Sequence, residues 1–515
     1  MNDTAGDRGA GAAAPHELEA KVSAFPGFRL PDLCAEVPWV VLGPADEQVL
    51  DARYFDAADL RLIRLGITFR HRTGEDGPSG RWTLKFPTPS EGVALDRLEL
   101  EEVGDAEHPP PRLIRLLTGV LRGAPLEPVA RLQTNRTRIP LADPAERPLG
   151  TLADDVVSAY EGDEVGLRFR EIEVELAEGA PTAVIDAVVA ALRAAGAGDV
   201  DSRPKLARAL GPRATAPPDP DVPEPTPRDP ARQAFRHAAG RSALRLFGHD
   251  PLVRLDAGDE GIHQARVAAR RLRSDLRTFR PVLDAEATLP MHDELKWLGG
   301  LLGAVRDDDV LAVGLAEAIP ELDLANREGG VMLIARLERQ RREHLDELLD
   351  ALDSSRYVEL TESLVRFVHD PPLTAEADRP ARELLPELAA RPWRHLVRNV
   401  AALPKEPADE QLHRVRILAK RARYAAELAA PAVPAAAKHA SAIAAVQTVL
   451  GDHQDAVVAE HWLRGCVTKD VAPPEAFAAG LLVAVMRRRS AESAAKWPGA
   501  WKRADRKKLR GWIRT

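Results

Sequence analysis

Between Gly211 and Pro230 the chain reads GPRATAPPDPDVPEPTPRDP, a stretch with eight prolines and almost no large apolar side chain. Proline removes backbone donors and favours extended, hydrogen-bond-free conformations, so neither a helix nor a sheet can run through it. We expect a semi-rigid, solvated linker over residues 212–230. A single loop of this length inside one domain would be unusual, and 515 residues exceed one ordinary core. The two sides should therefore fold as separate domains.

They differ in character. Before the linker, short segments with a two-residue period recur at 17–22, 66–72, 81–86, 94–103, 134–141 and 167–176, bounded by Gly, Pro or Asp, as antiparallel strands are. Helical spacing intervenes at 111–122 and 181–195. Beyond the linker the strand signal stops, and long Ala/Leu/Arg/Glu segments with helical spacing run to the end. The first domain is expected to be α+β and the second all-α.

The charges in the first half fall in phase. Residues two apart on a strand share a face, which aligns Glu17, Glu19 and Lys21, Arg70 with Arg72, Arg97 with Glu99, Arg136 with Arg138, and Glu171 with Glu173 and Glu175. One such strand would normally be the wet side of an antiparallel sheet. Five or six of them, carrying both signs in phase, suit a sheet closed on itself with the charges inside. Enclosed charges need partners, and a polyanion with divalent cations would supply them: Arg and Lys clamp phosphate oxygens, while carboxylates offer hard oxygen ligands to Mg²⁺ or Mn²⁺.

With HELEAK near its start, the chain resembles the CYTH domains, the triphosphate tunnel metalloenzymes, through their ExExK signature. The resemblance continues in family order through YFDAADLRLIRLGITFRHR, WTLKFP, DRLELE, ARLQTNRTRIPL, LADDVV, FREIEVEL and SRPKLARAL, covering residues 14–211. It implies an eight-stranded antiparallel β tunnel with flanking helices and metal-dependent hydrolysis of a triphosphate. By the same resemblance Glu17, Glu19, Glu171 and Glu173, with Glu99 and Asp155 as further candidates, would hold the metal. Lys21, Arg70, Arg72, Lys85, Arg97, Arg136 and Lys205 would hold the phosphates, with Glu17, Glu19, Lys21 and Lys205 as the catalytic set. Pro204 stands where the family usually has serine, which should alter only the approach to the terminal helix. Phosphoryl transfer of this kind spreads charge over one metal and the basic residues while a water associated with a second metal attacks in line. No Ser/His/Asp or Cys/His arrangement occupies these positions, and no GxxxxGK[ST] loop occurs.

The second half contains an internal repeat. HQARVAARRLR from His263 is echoed by HRVRILAKRAR from His413, and each is followed about forty residues later by a second shared phrase, Leu302-Gly303 with Asp307 and Leu450-Gly451 with Asp455. The spacing 0, +3, +7, +10 places His263, Arg266, Arg270 and Arg273 on one helix face, and His413, Arg416, Lys420 and Arg423 on another. Acidic partners at i±4 are nearly absent along both stretches, so an external anion is expected to offset the repulsion. These phrases, with VLGDHQDAVVA and AWKRADRKKLRGW, resemble the CHAD domain over 231–515. That resemblance implies two duplicated helical bundles with pseudo-twofold symmetry around a basic groove that binds inorganic polyphosphate. Asp307 and Asp455 suit a tethering role, and Trp497, Trp501 and Trp512 among the terminal basic residues could border the groove.

The expected function is thus a metal-dependent phosphohydrolase, an inorganic triphosphatase, with an attached polyphosphate-binding domain. A polyphosphate-binding or localisation module without turnover is the alternative, as is a hydrolase or cyclase acting on thiamine triphosphate or ATP, although no base-reading element is apparent. Residues 1–210 hold 24 basic and 35 acidic side chains and residues 231–515 hold 45 and 40, a balance that does not suit DNA. From two cysteines, no signal peptide and no apolar run near 20 residues we expect a cytoplasmic protein, with association to polyphosphate granules following from the CHAD resemblance.

Overall fold

The computed structural model describes residues 16–75, 80–87, 95–467 and 471–513, with 16, 17, 95 and 96 described by backbone alone. Its contacts divide the chain into two units between Asp219 and Pro220.

The first unit is built on nine strands: β1 His16–Ala24, β2 Val41–Leu42, β3 Asp46–Asp56, β4 Thr68–Thr73, β5 Arg81–Pro87, β6 Leu95–Val103, β7 Glu127–Ala142, β8 Pro148–Glu161 and β9 Glu164–Leu176. Their order is β2-β7-β3-β4-β5-β6-β1-β9-β8, and β8 pairs again with β7. That last pairing closes β3, β4, β5, β6, β1, β9, β8 and β7 into an eight-stranded antiparallel ring, with β2 appended to β7. The register β1–β9 sets Lys21 opposite Glu173, and β8–β9 sets Asp155 opposite Glu171.

The ring is polar inside and apolar outside. Ala20 and Val22 of β1 and Ile172 and Val174 of β9 face outward, where they pack with Leu152 against Val184, Ile185 and Val188 of the Ala183–Ala194 helix. On another wall Phe69 stacks on Trp82 at 4.9 Å and Phe55 tilts against it at 5.0 Å. The helix Lys205–Leu210 brings Leu206 and Ala207 against Ala52, Tyr54, Leu132 and Val157, so an apolar core lies against one stretch of β3, β7 and β8. Three strands escaped the periodicity, the two-residue β2 and, within the ring, β3 and β8. β8 carries Asp154 and Asp155 side by side, one engaged with Arg170 and the other turned to the opposite face, so strict alternation is lost.

The second unit is helical. Helices Ala231–Leu255, Asp259–Phe279 and Ala285–Ala318 begin 150 residues before Ala381–Ala401, Asp409–Ala429 and Ala435–Cys466, and Leu324–Leu352 stands 149 before Pro473–Ala504. Ser355–His369 lies between the two sets. The proline-rich stretch differs from a free linker. Asp219 pairs with Arg122 in the first unit, whereas Val222 lies against Gly240 and the Asp229 carbonyl accepts from Ala381 N–H in the second. Extended proline-rich backbone still has carbonyls to offer and flat rings to pack, so it lines a surface without secondary structure. Among the described residues no helix is long and apolar enough to cross a membrane.

Candidate functional site

The inward faces of the eight strands enclose a cavity of about 520 Å³. Among the described residues, nine Lys or Arg side chains and six Glu side chains line it, and Tyr54 is the only aromatic residue. Lys21, Arg70, Arg72, Lys85, Arg97, Arg136 and Lys205, drawn from six elements of the fold, all face this one space.

The elements set depth as well as direction. Lys205 begins its helix at one side of the cavity, and its Nζ lies 2.7 Å from Glu173, 2.8 Å from Glu171 and 3.0 Å from Asp155. Arg136 grips Asp155 with Nε and Nη2 at 2.8 and 2.7 Å and reaches Glu173 at 2.8 Å. Arg208, one helical turn after Lys205, takes the other oxygen of Glu171 at 2.6 Å. Lys21 joins Glu19 at 3.1 Å and Glu173 at 2.8 Å; Arg97 meets Glu19 at 3.3 Å and Lys85 meets Glu99 at 2.9 Å.

Electrostatics follow from this crowding. Burial alone would drive the ammonium groups of Lys21 and Lys205 to lose their protons, but Glu173 with Glu19, and Glu171 with Glu173 and Asp155, outweigh it and hold both pKa values above the ordinary lysine value. Burial likewise opposes ionisation of Glu173, yet Lys205, Lys21 and Arg136 keep its carboxyl well below the usual range. Arg70 Nη1 donates to the Tyr54 hydroxyl at 3.3 Å, and Arg70, Lys205 and Arg72 overcome burial to bring that phenol below its ordinary value. The Nε groups of Arg70 and Arg72 are buried with no acceptor among the described residues. Such a donor is costly to bury unless an anion arrives to accept from it.

The proposed metal ligands separate into two groups. Glu19, Glu99 and Glu173 line the cavity, whereas Asp155, with no exposed surface, and Glu171, 2% exposed, do not. Those two lie behind Lys205 and Arg136, occupied by them. The Glu17 side chain falls outside the described residues. No group of three or more Asp, Glu, His or Cys is drawn together as a metal cage among the described residues. The donors facing the cavity are nonetheless hard oxygens of the type that suits Mg²⁺ or Mn²⁺.

Tyr54, Arg81, Glu75, Glu101 and Arg208 also line or brace the tunnel and were not singled out from sequence. Tyr54 sits in β3, where a period-two count from Ala52 would have turned it inward. Arg208 lies three residues beyond Lys205, on the same helical face.

In the second unit the helices headed by His263 and His413 pack side by side, with Arg271 bridging to Glu427 at 2.7 Å and Arg270 lying 5.6 Å from the Tyr424 ring centre. Arg266, Arg270, Arg416 and Lys420 converge there. Burial and then Arg416, Arg270 and Arg266 bring the Lys420 ammonium down to about 7. Arg270 and Arg416 each hold a buried Nε with no acceptor among the described residues. Arg266 pairs with Asp307 at 2.9 Å and Arg416 with Asp455 at 3.8 Å; a Cβ added at Gly303 or Gly451 would touch those same guanidiniums. His413 Nδ1 is 2.7 Å from Gln454 Oε1, a helix-orienting contact, while Arg306 stands in the field of His263. Arg423 is drawn aside to Glu427 and Gln447, and Arg273 lies beside Gly299. Of the terminal tryptophans, Trp497 is buried in the core with Trp393 and Leu396, and Trp501 and Trp512 pack against that core partly buried.

The CHAD family model matches residues 237–464. Uncharacterised proteins from two strains of Mycobacterium tuberculosis are 32% identical over 493 residues, 90% of this chain and 92% of theirs. Among solved structures, the CHAD domain from the plant Ricinus communis is 29% identical, covering 56% of this chain and 96% of its own at a TM-score of 0.46. A proposed adenylate cyclase from Bacillus halodurans is 20% identical, covering 38% and 96% at a TM-score of 0.28.

Proposed function

This chain belongs to the proteins in which a CYTH-type tunnel is followed by a CHAD domain, and on that premise we propose that the tunnel hydrolyses inorganic triphosphate or a related phosphate chain while the helical domain holds polyphosphate. The observation that carries the reading is the lining of the closed ring, nine cationic side chains around one cavity with two guanidinium Nε groups that have no acceptor among the described residues. A phosphate chain presents charge along its length and little else. Tyr54 is 3% exposed, so among the described residues that line the cavity no open aromatic face is offered to a base or a thiamine ring, which favours an inorganic substrate.

Lys21, Arg70, Arg72 and Arg97 would hold the chain, and Arg136 and Lys205 would meet one of its ends. Because the pKa values of Lys21 and Lys205 are raised, both act as fixed positive charges and neither serves as a base near neutral pH. Their contribution is preorganised charge where the transferring phosphoryl group spreads its own. Asp155 and Glu171 position Lys205, Arg136 and Arg208. Glu19, Glu173 and Glu99, with Glu17 two residues before Glu19 on β1, are the candidates to hold Mg²⁺ or Mn²⁺. When bound, such an ion neutralises phosphate charge and acidifies a water.

A second reading, binding without turnover, is favoured by one observation: Glu19, Glu99 and Glu173 are each already ion-paired. Phosphate release from triphosphate by the purified protein, with Mg²⁺ or Mn²⁺ and with EDTA, separates the two. Metal-dependent release supports hydrolysis; tight triphosphate binding with no release at any metal concentration supports the second. In the helical domain the basic cluster would raise the local concentration of substrate, an effect that needs no conformational coupling.

A further inference from the structure

We propose that the helical domain carries a second anion site, formed by Arg391, Arg394, Arg398 and Arg510, that takes a distal stretch of the same condensed-phosphate chain held by the central cluster; this rests on the polyphosphate reading above. The four arginines bound a cavity of about 400 Å³ whose other lining residues are Trp393 and Val397. Arg391, Arg394 and Arg398 occur at i, i+3 and i+7 of the Ala381–Ala401 helix, so they share one face. All three are exposed, and among the described residues none has a carboxylate or other side-chain partner. Two other exposed arginines of this unit are paired, Arg356 with Glu294 and Arg488 with Glu321, and the half-buried Arg379 pairs with Glu387. Like charges stacked on one face repel, so this set opposes helix stability and calls for another explanation. Arg510 comes from the Lys507–Arg510 helix and is fixed by Asp505, whose carbonyl and carboxylate oxygens both lie 3.1 Å from its Nε.

Positive charge is continuous from the central cluster to this cavity. Arg273 follows Arg270 by one helical turn, and Arg277 follows Arg273 by another. Arg277 lies in the field of Arg421 and Arg273, while His395, beside Arg394 and Arg398, lies in the fields of Arg398, Arg414, Arg421 and Arg391. The Nε groups of Arg273 and Arg421, midway along the track, are buried without acceptors among the described residues. The ligand class follows from what the cavity lacks. Trp393 is 3% exposed, stacked on Trp501 at 5.5 Å and edge-on to His439 at 4.5 Å, so no ring face is open to a nucleobase. Charge alone recognises the ligand. The full set belongs to one half of the repeat: 150 residues earlier Arg241 matches Arg391, but Leu244 and Gly248 stand where Arg394 and Arg398 do.

The test uses the full chain in EDTA, with polyphosphates of graded chain length, measured against R391Q/R394Q/R398Q and against a central variant, R266Q/R270Q/R416Q/K420Q. The distal variant should bind the longest chains more weakly, by roughly tenfold at low salt, with a flatter salt dependence, and bind the shortest chains as wild type does. Wild-type affinity at every length would overturn the distal site alone. An equal loss at all lengths would also overturn it, since the arginines would then act on the central cluster or the fold. Failure of wild type to bind any length would overturn the polyphosphate reading and this inference with it. Unchanged binding in the central variant would overturn only the central assignment and the continuity argued from it.

Discussion

Lys205 Nζ sits 3.0 Å from Oδ2 of Asp155, a carboxylate with no exposed surface. The pair shows why a helix that begins with lysine is inserted at the edge of the ring: it delivers the cation that three enclosed carboxylates require. Removing one partner of such a buried set leaves uncompensated charge, at a cost of about 3–5 kcal/mol.

Lys205→Met, which keeps much of the stem and deletes the charge, should therefore destabilise the first domain by roughly that amount. Urea unfolding followed over pH adds a signature. Glu173 is held below the ordinary glutamate value, by Lys205 first among the cations, so its stabilisation is present above the unfolded value near 4.5 and is lost as pH falls through the lowered one. The Lys205 contribution has the opposite sense, being present below 10.5 and lost as pH rises through the raised value. In Lys205→Met the acid limb should move to higher pH and the alkaline limb should weaken. A variant as stable as wild type across the range would show that the network contributes nothing net.

Glu19 and Asp155 should respond differently to neutralisation. Glu19 lines the cavity and is a candidate metal donor; Asp155 lies behind Arg136 and Lys205. Glu19→Gln should raise the Mg²⁺ or Mn²⁺ concentration for half-maximal phosphate release and lower turnover by about tenfold or more. Asp155→Asn should lower the melting temperature while leaving the metal requirement of the surviving activity near wild type. The reverse pattern would exchange the two roles.

Much of this arrangement was legible in the sequence because strands expose a two-residue period and helices a repeat with fixed spacing. The phase of Glu19 with Lys21 and of Arg70 with Arg72 placed them on inner faces, and the His263 and His413 phrases located two neighbouring helices. Depth was not legible. Glu171, Glu173 and Glu175 share one strand face, yet Glu171 is enclosed by Lys205 and Arg208 and Glu175 is exposed, a difference set by where a helix lands some thirty residues later. Arg423, in phase with Arg416 and Lys420, is drawn away by a local partner instead, Glu427 four residues on and just past the basic phrase. The terminal tryptophans looked like a surface feature by composition and are core by packing, since their partners Trp393 and His439 lie far away in sequence.

Cutting the chain between Asp219 and Pro220 should give two pieces that fold alone. Each half of the proline-rich stretch makes its hydrogen bonds and packing within its own unit, Asp219 to Arg122 on one side and Val222 to Gly240 on the other. Calorimetry of the fragments should show one cooperative transition each. A cut at 211–212 should be worse, because it strips the first unit of Ala214, which is 4% exposed, and of Asp219. A fragment soluble only in the presence of the other would refute independent folding.

The central cluster should bind polyphosphate with a proton attached. Lys420 faces Arg416 on its own helix, Arg270 and Arg266 on the neighbouring one, and Asp455 from the Ala435–Cys466 helix; burial and the three arginines bring its pKa to about 7. The sign follows from linkage. Without ligand the folded domain binds fewer protons than the unfolded chain between about pH 7 and 10.5, so its stability should rise with pH across that window. A bound polyanion favours the charged ammonium, so affinity should move the other way and fall as pH rises through and above 7, by at most about tenfold per unit for one proton. Lys420→Arg supplies a charge that does not titrate here; it should keep tight binding and remove that part of the pH dependence. Lys420→Met should bind weakly at every pH. Titration calorimetry from pH 6 to 9 in buffers of different ionisation enthalpy would read the proton directly. Identical proton uptake in wild type and Lys420→Arg would place the titrating group elsewhere and remove Lys420 from the binding surface.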